Sequence, residues 1–124
     1  MKIMIVDDSP HRCRRVEEAL EKMGVKCITF SSLLPAIQFL KVNHVDGIIT
    51  DMKYPMHDKS SSELKGAGNL LLKWLILQKK KIPVLGNSYC KFDMSYPYYR
   101  GQMPGYCHWE ILKEYVSSIE KDHN

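Results

Sequence analysis

The chain has 124 residues, of which 44% are hydrophobic and 26% are charged, and its formal net charge is +4. This length predicts a single domain over residues 1–124 with a real hydrophobic core, and the composition excludes a disordered tail. The apolar runs are too short for a membrane span or a secretory signal, which favours a cytoplasmic protein without membrane contact. The basic residues accompany no groove-entering motif, so nucleic-acid binding is not expected.

The four cysteines are widely separated along the chain and include no Cys-x-x-Cys pair. This spacing indicates reduced thiols rather than a disulfide framework or a zinc site. Cys90, Cys107 and His108 also lack the spacing of a zinc motif, so no metal is expected there.

The first element predicted is a strand followed by a helix. Residues 2–6 form a short apolar run that ends at Asp7 and Asp8, a pattern typical of a buried parallel strand whose carboxyl end opens into a site. The Ser9-Pro10 pair can cap and start a helix, and apolar residues then recur at helical spacing until Gly24.

The same unit is then repeated. Residues 25–30 predict a second strand, and a serine-capped helix continues to residue 42. Residues 45–50 predict a third strand that ends at Asp51. Two strands therefore end in acidic residues.

The stretch from Met52 to Asn69 has no hydrophobic periodicity and predicts a mobile loop over the same sheet edge. This loop either gates access to that edge or carries a partner contact. Alternatively, its length has no function, since added loop residues cost little stability. An apolar helix over 70–78 and a strand over 82–85, which leads to Ser88, follow.

The segment 89–109 is rich in tyrosine, proline and glycine, and it predicts only a short strand around Tyr106 and Cys107. Its aromatic residues over 89–100 either form an interaction surface or cover a short, poorly formed helix. Residues 109–121 predict a final helix with one apolar face.

Alternation of strands and helices predicts an α/β fold, with a five-stranded parallel sheet covered by helices on both faces. In such sheets, ligands bind where strands deliver their carboxyl ends. Asp7, Asp8, Asp51 and Ser88 are all predicted at such ends.

Three converging carboxylates repel one another and favour a cation, and oxygen-only ligands favour Mg²⁺, which also accepts phosphate oxygen. A carboxylate can itself be a nucleophile that forms an aspartyl phosphate. Asp51 stands alone at its strand end and is the better nucleophile candidate, whereas Asp7 and Asp8 suit metal binding. Any one of these residues alone could instead cap a helix or form a turn.

Three segments carry a resemblance to the receiver domains of two-component response regulators: residues 3–9, 46–55 and 82–88. The resemblance implies a flavodoxin-like fold with strand order 2-1-3-4-5. It implies Mg²⁺ on Asp7, Asp8 and Asp51, with the main-chain carbonyl of Lys53 completing the ligands from the protein.

The resemblance also implies roles in signalling. Asp51 would accept a phosphoryl group from a histidine kinase or phosphotransfer protein, Ser88 would supply the switch hydroxyl, and Tyr106 would be the switch aromatic. An output protein would read the resulting change, and a homodimer is left open. Such a domain is a phosphoacceptor rather than an enzyme.

The chain departs from the receiver pattern at strand five, where receivers present a Lys, normally followed by Pro, that pairs with the phosphoryl oxygens. Alignment of the switch aromatic to Tyr106 puts Trp109 at the position of that Lys, and no Lys-Pro pair occurs in the chain. His108 and Lys113 are the candidate substitutes.

Three hypotheses follow. The first is a stand-alone phosphoacceptor receiver. The second is a pseudo-receiver, an interaction module without regulated phosphorylation, which the missing Lys favours. The third is a Mg²⁺-dependent phosphohydrolase, which usually has a second Asp two residues after the nucleophile, where this chain has Lys53.

Overall fold

A computed structural model describes residues 1–58 and 62–123, and within them a parallel sheet carries helices on both faces. The elements in chain order are β1 (Lys2–Val6), α1 (Pro10–Lys22), β2 (Lys26–Phe30), α2 (Leu33–Val42), β3 (Gly47–Thr50), β4 (Tyr54–Pro55), β5 (Glu63–Leu64), α3 (Ala67–Leu77), β6 (Val84–Asn87), β7 (Tyr99–Met103) and α4 (Trp109–Asp122).

The main sheet has five strands in the order β2-β1-β3-β6-β7, and every pair of neighbours is parallel. Because β4 and β5 form a separate antiparallel pair, this order is the predicted 2-1-3-4-5 arrangement. The predicted fold class is therefore confirmed.

Two apolar clusters lie on opposite faces of the sheet, because successive strand residues point to opposite sides. Met4 and Ile48 pack with α2 and α3 on one face. Ile3 and Ile49 pack with α1 and α4 on the other face. Among the residues that the structure describes, no helix is both long and apolar enough to cross a membrane.

Helix α1 begins and ends as its sequence predicts. The Ser9 side chain accepts a hydrogen bond from the Arg12 main-chain N–H, and Pro10 occupies the first turn, where a missing N–H costs nothing. The chain leaves the helix through Gly24, whose φ of 74° is in the left-handed region that glycine tolerates. This start fixes the orientation of the first turn relative to the carboxyl end of β1.

The fifth strand of the sheet is not where the sequence predicted it. The prediction of a strand around Tyr106 and Cys107 is wrong, because β7 spans Tyr99–Met103 and pairs with β6 through Val84 and Gly86. An edge strand needs only one neighbour and is half-exposed, so β7 lacks the apolar run that marked the buried strands.

The crossover between β6 and β7, residues 88–98, contains turns and bends and no helix. The expectation of a short, poorly formed helix under the aromatic residues is therefore wrong. Phe92 and Tyr96 are buried and hold this segment against the sheet. The Tyr96 hydroxyl accepts a hydrogen bond from the Ile82 N–H at 3.0 Å and donates to the Ile82 carbonyl oxygen at 2.7 Å.

The described residues of the segment 52–69 are more ordered than the sequence predicted; residues 59–61 lie outside the described residues. The short strands β4 and β5 pair through Tyr54 and Leu64, and α3 begins at Ala67 instead of residue 70. Tyr54 is fully buried, and its hydroxyl lies 2.9 Å from Thr50 Oγ1. The described part of this segment is thus a small ribbon anchored beneath the end of β3.

The packing of Phe92 on Gly86 generates a stability prediction. A Cβ added at Gly86 would overlap the Phe92 ring, so Gly86→Ala is expected to lower the free energy of unfolding by about 1–3 kcal/mol. Gly66→Ala is the matched control, because a Cβ there meets no atom within 4 Å. Urea denaturation of both variants measures the difference, and equal midpoints would contradict this packing.

Candidate functional site

Three carboxylates meet at the carboxyl edge of the sheet. Asp7 follows β1 and Asp51 follows β3, which are neighbouring parallel strands. Asp7, Asp8 and Asp51 each offer a carboxylate oxygen, and these three atoms lie within 4.8 Å of one another. A pocket of about 350 Å³ opens at Asp51, and its wall includes Ser88, whereas Asp7 and Asp8 line a second pocket of about 340 Å³. The structure therefore brings together the acidic residues that the sequence singled out.

Asp7 is almost fully buried, and both of its oxygens accept hydrogen bonds. The Ser9 main-chain N–H donates to Oδ1 at 2.9 Å. The Arg12 guanidinium donates to both oxygens, from Nη2 to Oδ1 at 2.9 Å and from Nε to Oδ2 at 3.0 Å. This two-pronged contact fixes the plane of the guanidinium against the carboxylate.

Asp51 is also buried, and its two oxygens have different partners. The Met52 main-chain N–H donates to Oδ1 at 2.7 Å, and Arg12 Nη2 donates to Oδ2 at 2.9 Å. Burial and the nearby negative charge of Asp7 raise the pKa of Asp51 to about 6. At neutral pH the carboxylate is still mostly ionised and can act as a nucleophile.

Asp8 is less buried than the other two acidic residues, and it lies beside a fourth acidic residue. Burial, followed by the carboxylate of Glu63, raises the pKa of Asp8. Glu63 belongs to β5, one of the two short strands of the ribbon, and it forms part of the pocket wall. Sequence reasoning missed Glu63 because it assigned no structure to the segment that contains it.

Arg12 is the residue whose position changes the interpretation of the site most. Its Nη2 atom contacts Asp7 and Asp51 at the same time, at 2.9 Å from each. It lies in the first turn of α1, where side chains point back towards the helix N-terminus and therefore towards the sheet edge. Hydrogen bonding to Asp7 raises the pKa of Arg12, so the guanidinium stays charged.

Sequence reasoning did not select Arg12, although a signal was present. Cys13 and Val16 define the buried face of α1, and Arg12 precedes Val16 by one helical turn, which places it on the flank of that face. Arg14 and Arg15 are exposed. Helical spacing could thus have separated Arg12 from its two basic neighbours.

The donor set fits a hard divalent cation, because all three side chains offer carboxylate oxygens at short mutual distances. In the structure, the guanidinium of Arg12 provides positive charge to two of these carboxylates. A metal ion bound to both Asp7 and Asp51 would have to share their oxygens with Arg12 or displace it.

The end of strand five differs from the position assigned by sequence. Trp109 is the first residue of α4 and does not follow the strand, so its assignment to the position of the receiver Lys is wrong. Met103 ends β7, and Pro104 comes next. Neither Met103 nor Pro104 has a cationic side chain.

The two candidate substitutes for the missing Lys have other contacts. His108 Nδ1 accepts a hydrogen bond from the Ile111 N–H and caps α4. Lys113 Nζ lies 3.6 Å from Glu110 and 6.0 Å from the centre of the Trp109 ring. The ion pair that the structure shows to Asp51 comes from Arg12 instead.

Ser88 and Tyr106, the predicted switch residues, are placed differently relative to the pocket. Ser88 is buried at the end of β6, and its hydroxyl accepts a hydrogen bond from the Cys90 N–H at 3.0 Å. Tyr106 is 54% exposed and lies outside the strands, near the ring of His108. Tyr106 therefore does not lie in the fifth strand of the sheet, where the sequence had placed it. The switch roles of both residues stay predictions.

Comparisons with solved structures give a uniform result for the fold. A two-component response regulator from Clostridium difficile is 22% identical, with a TM-score of 0.75, and the match covers 100% of this chain and 98% of that one. The Francisella response regulator 1452 receiver domain is 17% identical, with a TM-score of 0.79 and 98% coverage of both chains. This chain has the response regulator receiver fold.

A third structure with the receiver fold is the signal receiver domain of a signal transduction histidine kinase from Syntrophus aciditrophicus. It is 23% identical, has a TM-score of 0.75, and the match covers 98% of this chain and 90% of that one. The receiver fold therefore recurs in comparisons with response regulators and with a histidine kinase.

Sequence comparison gives a shorter match. The sensor histidine kinase RcsC of Escherichia coli is 33% identical over 58 residues, which are 47% of this chain and 6% of that kinase. No family model matches the sequence. The receiver fold is thus established mainly by its three-dimensional likeness.

The bridge from Arg12 to two buried carboxylates generates a second stability prediction. Arg12→Ala leaves Asp7 and Asp51 close together without their counter-charge, so we expect the free energy of unfolding to fall by about 1–2 kcal/mol in metal-free buffer. Arg14→Ala removes an exposed arginine of the same helix and is expected to change it by less than about 0.5 kcal/mol. Chemical denaturation in EDTA provides the measurement; equal losses in the two variants would show that the bridge contributes nothing specific.

Proposed function

We propose that this chain is a receiver domain of a two-component phosphorelay, in which Asp51 accepts a phosphoryl group from a histidine kinase or phosphotransfer protein. The observation that carries the proposal is the meeting of Asp7, Asp8 and Asp51 at the carboxyl edge of a sheet with the receiver fold. A cytoplasmic location and an output protein as second partner belong to the same proposal.

The phosphoryl transfer uses Asp51 as the nucleophile. A carboxylate oxygen of Asp51 attacks phosphorus and forms a P–O bond, while the P–N bond of the donor phosphohistidine breaks. The bonding electron pair returns to the donor imidazole, which takes up a proton from solvent. Both Asp51 oxygens accept a hydrogen bond, Oδ1 from the Met52 main-chain N–H and Oδ2 from the Arg12 side chain. Because a side-chain contact rearranges more readily than a main-chain one, we assign the attack to Oδ2.

Asp7, Asp8 and Asp51 would hold Mg²⁺, together with the main-chain carbonyl of Lys53. When bound, this ion supplies positive charge that offsets the charge of the transferring group. The residues themselves orient the reaction: β1 and β3 fix the carboxylates, and the Ser9 N–H holds the Asp7 side chain. Ser88, buried in the pocket wall, is the hydroxyl that we assign to the switch.

The output surface that we propose surrounds the crossover after β6. Tyr89 is 83% exposed and belongs to the wall of the pocket, and Trp109 is 42% exposed. Aromatic side chains at a surface are favoured anchors for protein partners. A change around Ser88 would reach this surface directly, because Cys90 hydrogen-bonds to the Ser88 hydroxyl.

A pseudo-receiver is the second candidate function, and one observation favours it. Arg12 already neutralises part of the acidic cluster, and neither Met103, the last residue of β7, nor Trp109, the position assigned from the sequence, has a cationic side chain. A domain with this pocket could keep the fold as an interaction module and never be phosphorylated.

A phosphoryl analogue separates the two candidates. With Mg²⁺ and beryllofluoride, the phosphoacceptor proposal predicts shifts of the amide resonances near Asp51, Ser88 and Tyr106, because the analogue occupies the place of the phosphoryl group. Asp51→Asn removes the acceptor carboxylate and is expected to abolish these shifts. NMR titration of the labelled domain is the measurement.

The control for this titration is Asp46→Asn, which changes an acidic residue at the amino end of β3, where the Lys2 N–H donates to its side chain. This variant should respond to beryllofluoride as the unmodified chain does. Absence of any shift in the unmodified chain at saturating Mg²⁺ would reject the phosphoacceptor proposal and leave the pseudo-receiver.

A further inference from the structure

The pocket needs a cation for a bound phosphoryl group, and the end of β7 does not provide one through its side chains. Met103 and Pro104 are apolar, and Gly105 uses its N–H to bond Asn87 Oδ1 at 3.1 Å. Phosphorylation of Asp51 would replace one negative charge with about −1.5 to −2 in a site that already holds Asp7 and Asp8. Any cationic side chain that joins Mg²⁺ at this group must therefore come from another element.

We propose that Arg12 is the phosphoryl-binding cation of this domain, and that it reaches the site from α1 instead of the fifth strand. This inference rests on the proposed phosphoacceptor function. Arg12 belongs to the wall of the pocket, and its Nη2 atom lies 2.9 Å from Asp51 Oδ2, the oxygen assigned to the attack. The group that joins Oδ2 would lie beside the guanidinium.

The contacts of Arg12 allow this role without a large movement. Arg12 contacts both oxygens of Asp7, so one contact, from Nε to Oδ2, can still anchor the guanidinium when Mg²⁺ takes the other oxygen and Asp51 Oδ2 joins the phosphoryl group. The N–H that pointed at Oδ2 can then donate to a phosphoryl oxygen. A planar guanidinium with five donors suits contact with a carboxylate and a phosphoryl group at once.

Lys53 is the other basic residue in the wall of the pocket, and its placement is less suitable. Its side chain is exposed, whereas Arg12 is more buried and forms ion pairs with two site carboxylates. Charge-assisted hydrogen bonds are stronger where water is partly excluded. The geometry therefore favours Arg12 over Lys53 as the main phosphoryl contact.

Arg12 should strengthen binding of a phosphoryl group but weaken binding of Mg²⁺ when no phosphoryl group is present. It bonds Asp7 and Asp51, two of the three side chains assigned to Mg²⁺, so arginine contact and metal contact compete for the same oxygens. Removal of Arg12 is thus expected to strengthen Mg²⁺ binding and to weaken binding of a phosphoryl analogue. A purely structural residue would not change the two affinities in opposite directions.

The test is a pair of NMR titrations on the full chain, first with Mg²⁺ alone and then with beryllofluoride at saturating Mg²⁺. For Arg12→Ala, we expect Mg²⁺ to bind about 3–10-fold more tightly and beryllofluoride about 10–100-fold more weakly. Arg12→Lys keeps the charge but loses the planar guanidinium, so its beryllofluoride affinity should lie between those of the unmodified chain and of Arg12→Ala. The control, Arg14→Ala, should match the unmodified chain in both titrations.

Each outcome bears on one of the two proposals. If the unmodified chain binds beryllofluoride and Arg12→Ala binds it equally well, Arg12 is not the phosphoryl-binding cation, while the phosphoacceptor function stands. If the unmodified chain does not bind beryllofluoride, the phosphoacceptor function fails, and the role of Arg12 fails with it. Should Arg12→Ala not fold, Arg12→Gln decides, because it also removes the charge, and a beryllofluoride affinity equal to that of the unmodified chain would overturn the inference.

Discussion

The ion pairs of one guanidinium with two buried carboxylates set the state of the whole site. Asp7 and Asp51 are delivered side by side by adjacent parallel strands, and without a cation their charges oppose the folded arrangement. Arg12 reaches both from the first turn of α1. Any metal ion or phosphoryl group that binds these carboxylates has to share them with this arginine or displace it, so its contacts influence every proposed activity of the domain.

The fold and the acidic cluster could be predicted because both follow from regular patterns. Apolar runs that end at Asp7 and Asp51 identify buried parallel strands, and parallel strands place their carboxyl ends at one edge. The helical spacing of Cys13, Val16 and Leu20 identified α1 equally well. These elements are buried on at least one face, and a buried face requires apolar residues at the spacing of the helix or strand.

The remaining parts could not be predicted because burial leaves no such pattern in them. Strand β7 is a half-exposed edge, and its crossover is anchored by Phe92 and Tyr96 instead of a helix. Glu63 reaches the site through a two-residue strand, too short for periodicity to detect. Helical spacing separates Arg12 from Arg14 and Arg15, but its contacts with both Asp7 and Asp51 are visible only in the three-dimensional structure.

NMR of the arginine side chains tests most directly whether Arg12 bridges Asp7 and Asp51. The Nε–H resonance of Arg12 is identified by its loss in Arg12→Lys. In metal-free solution it should exchange slowly with water, because Nε donates to Asp7. It should also shift in Asp51→Asn, because the neighbouring Nη2 contact changes while the contact of Nε with Asp7 persists. An Arg12 Nε–H that exchanges as rapidly as those of Arg14 and Arg15, and that does not respond to Asp51→Asn, would contradict the account.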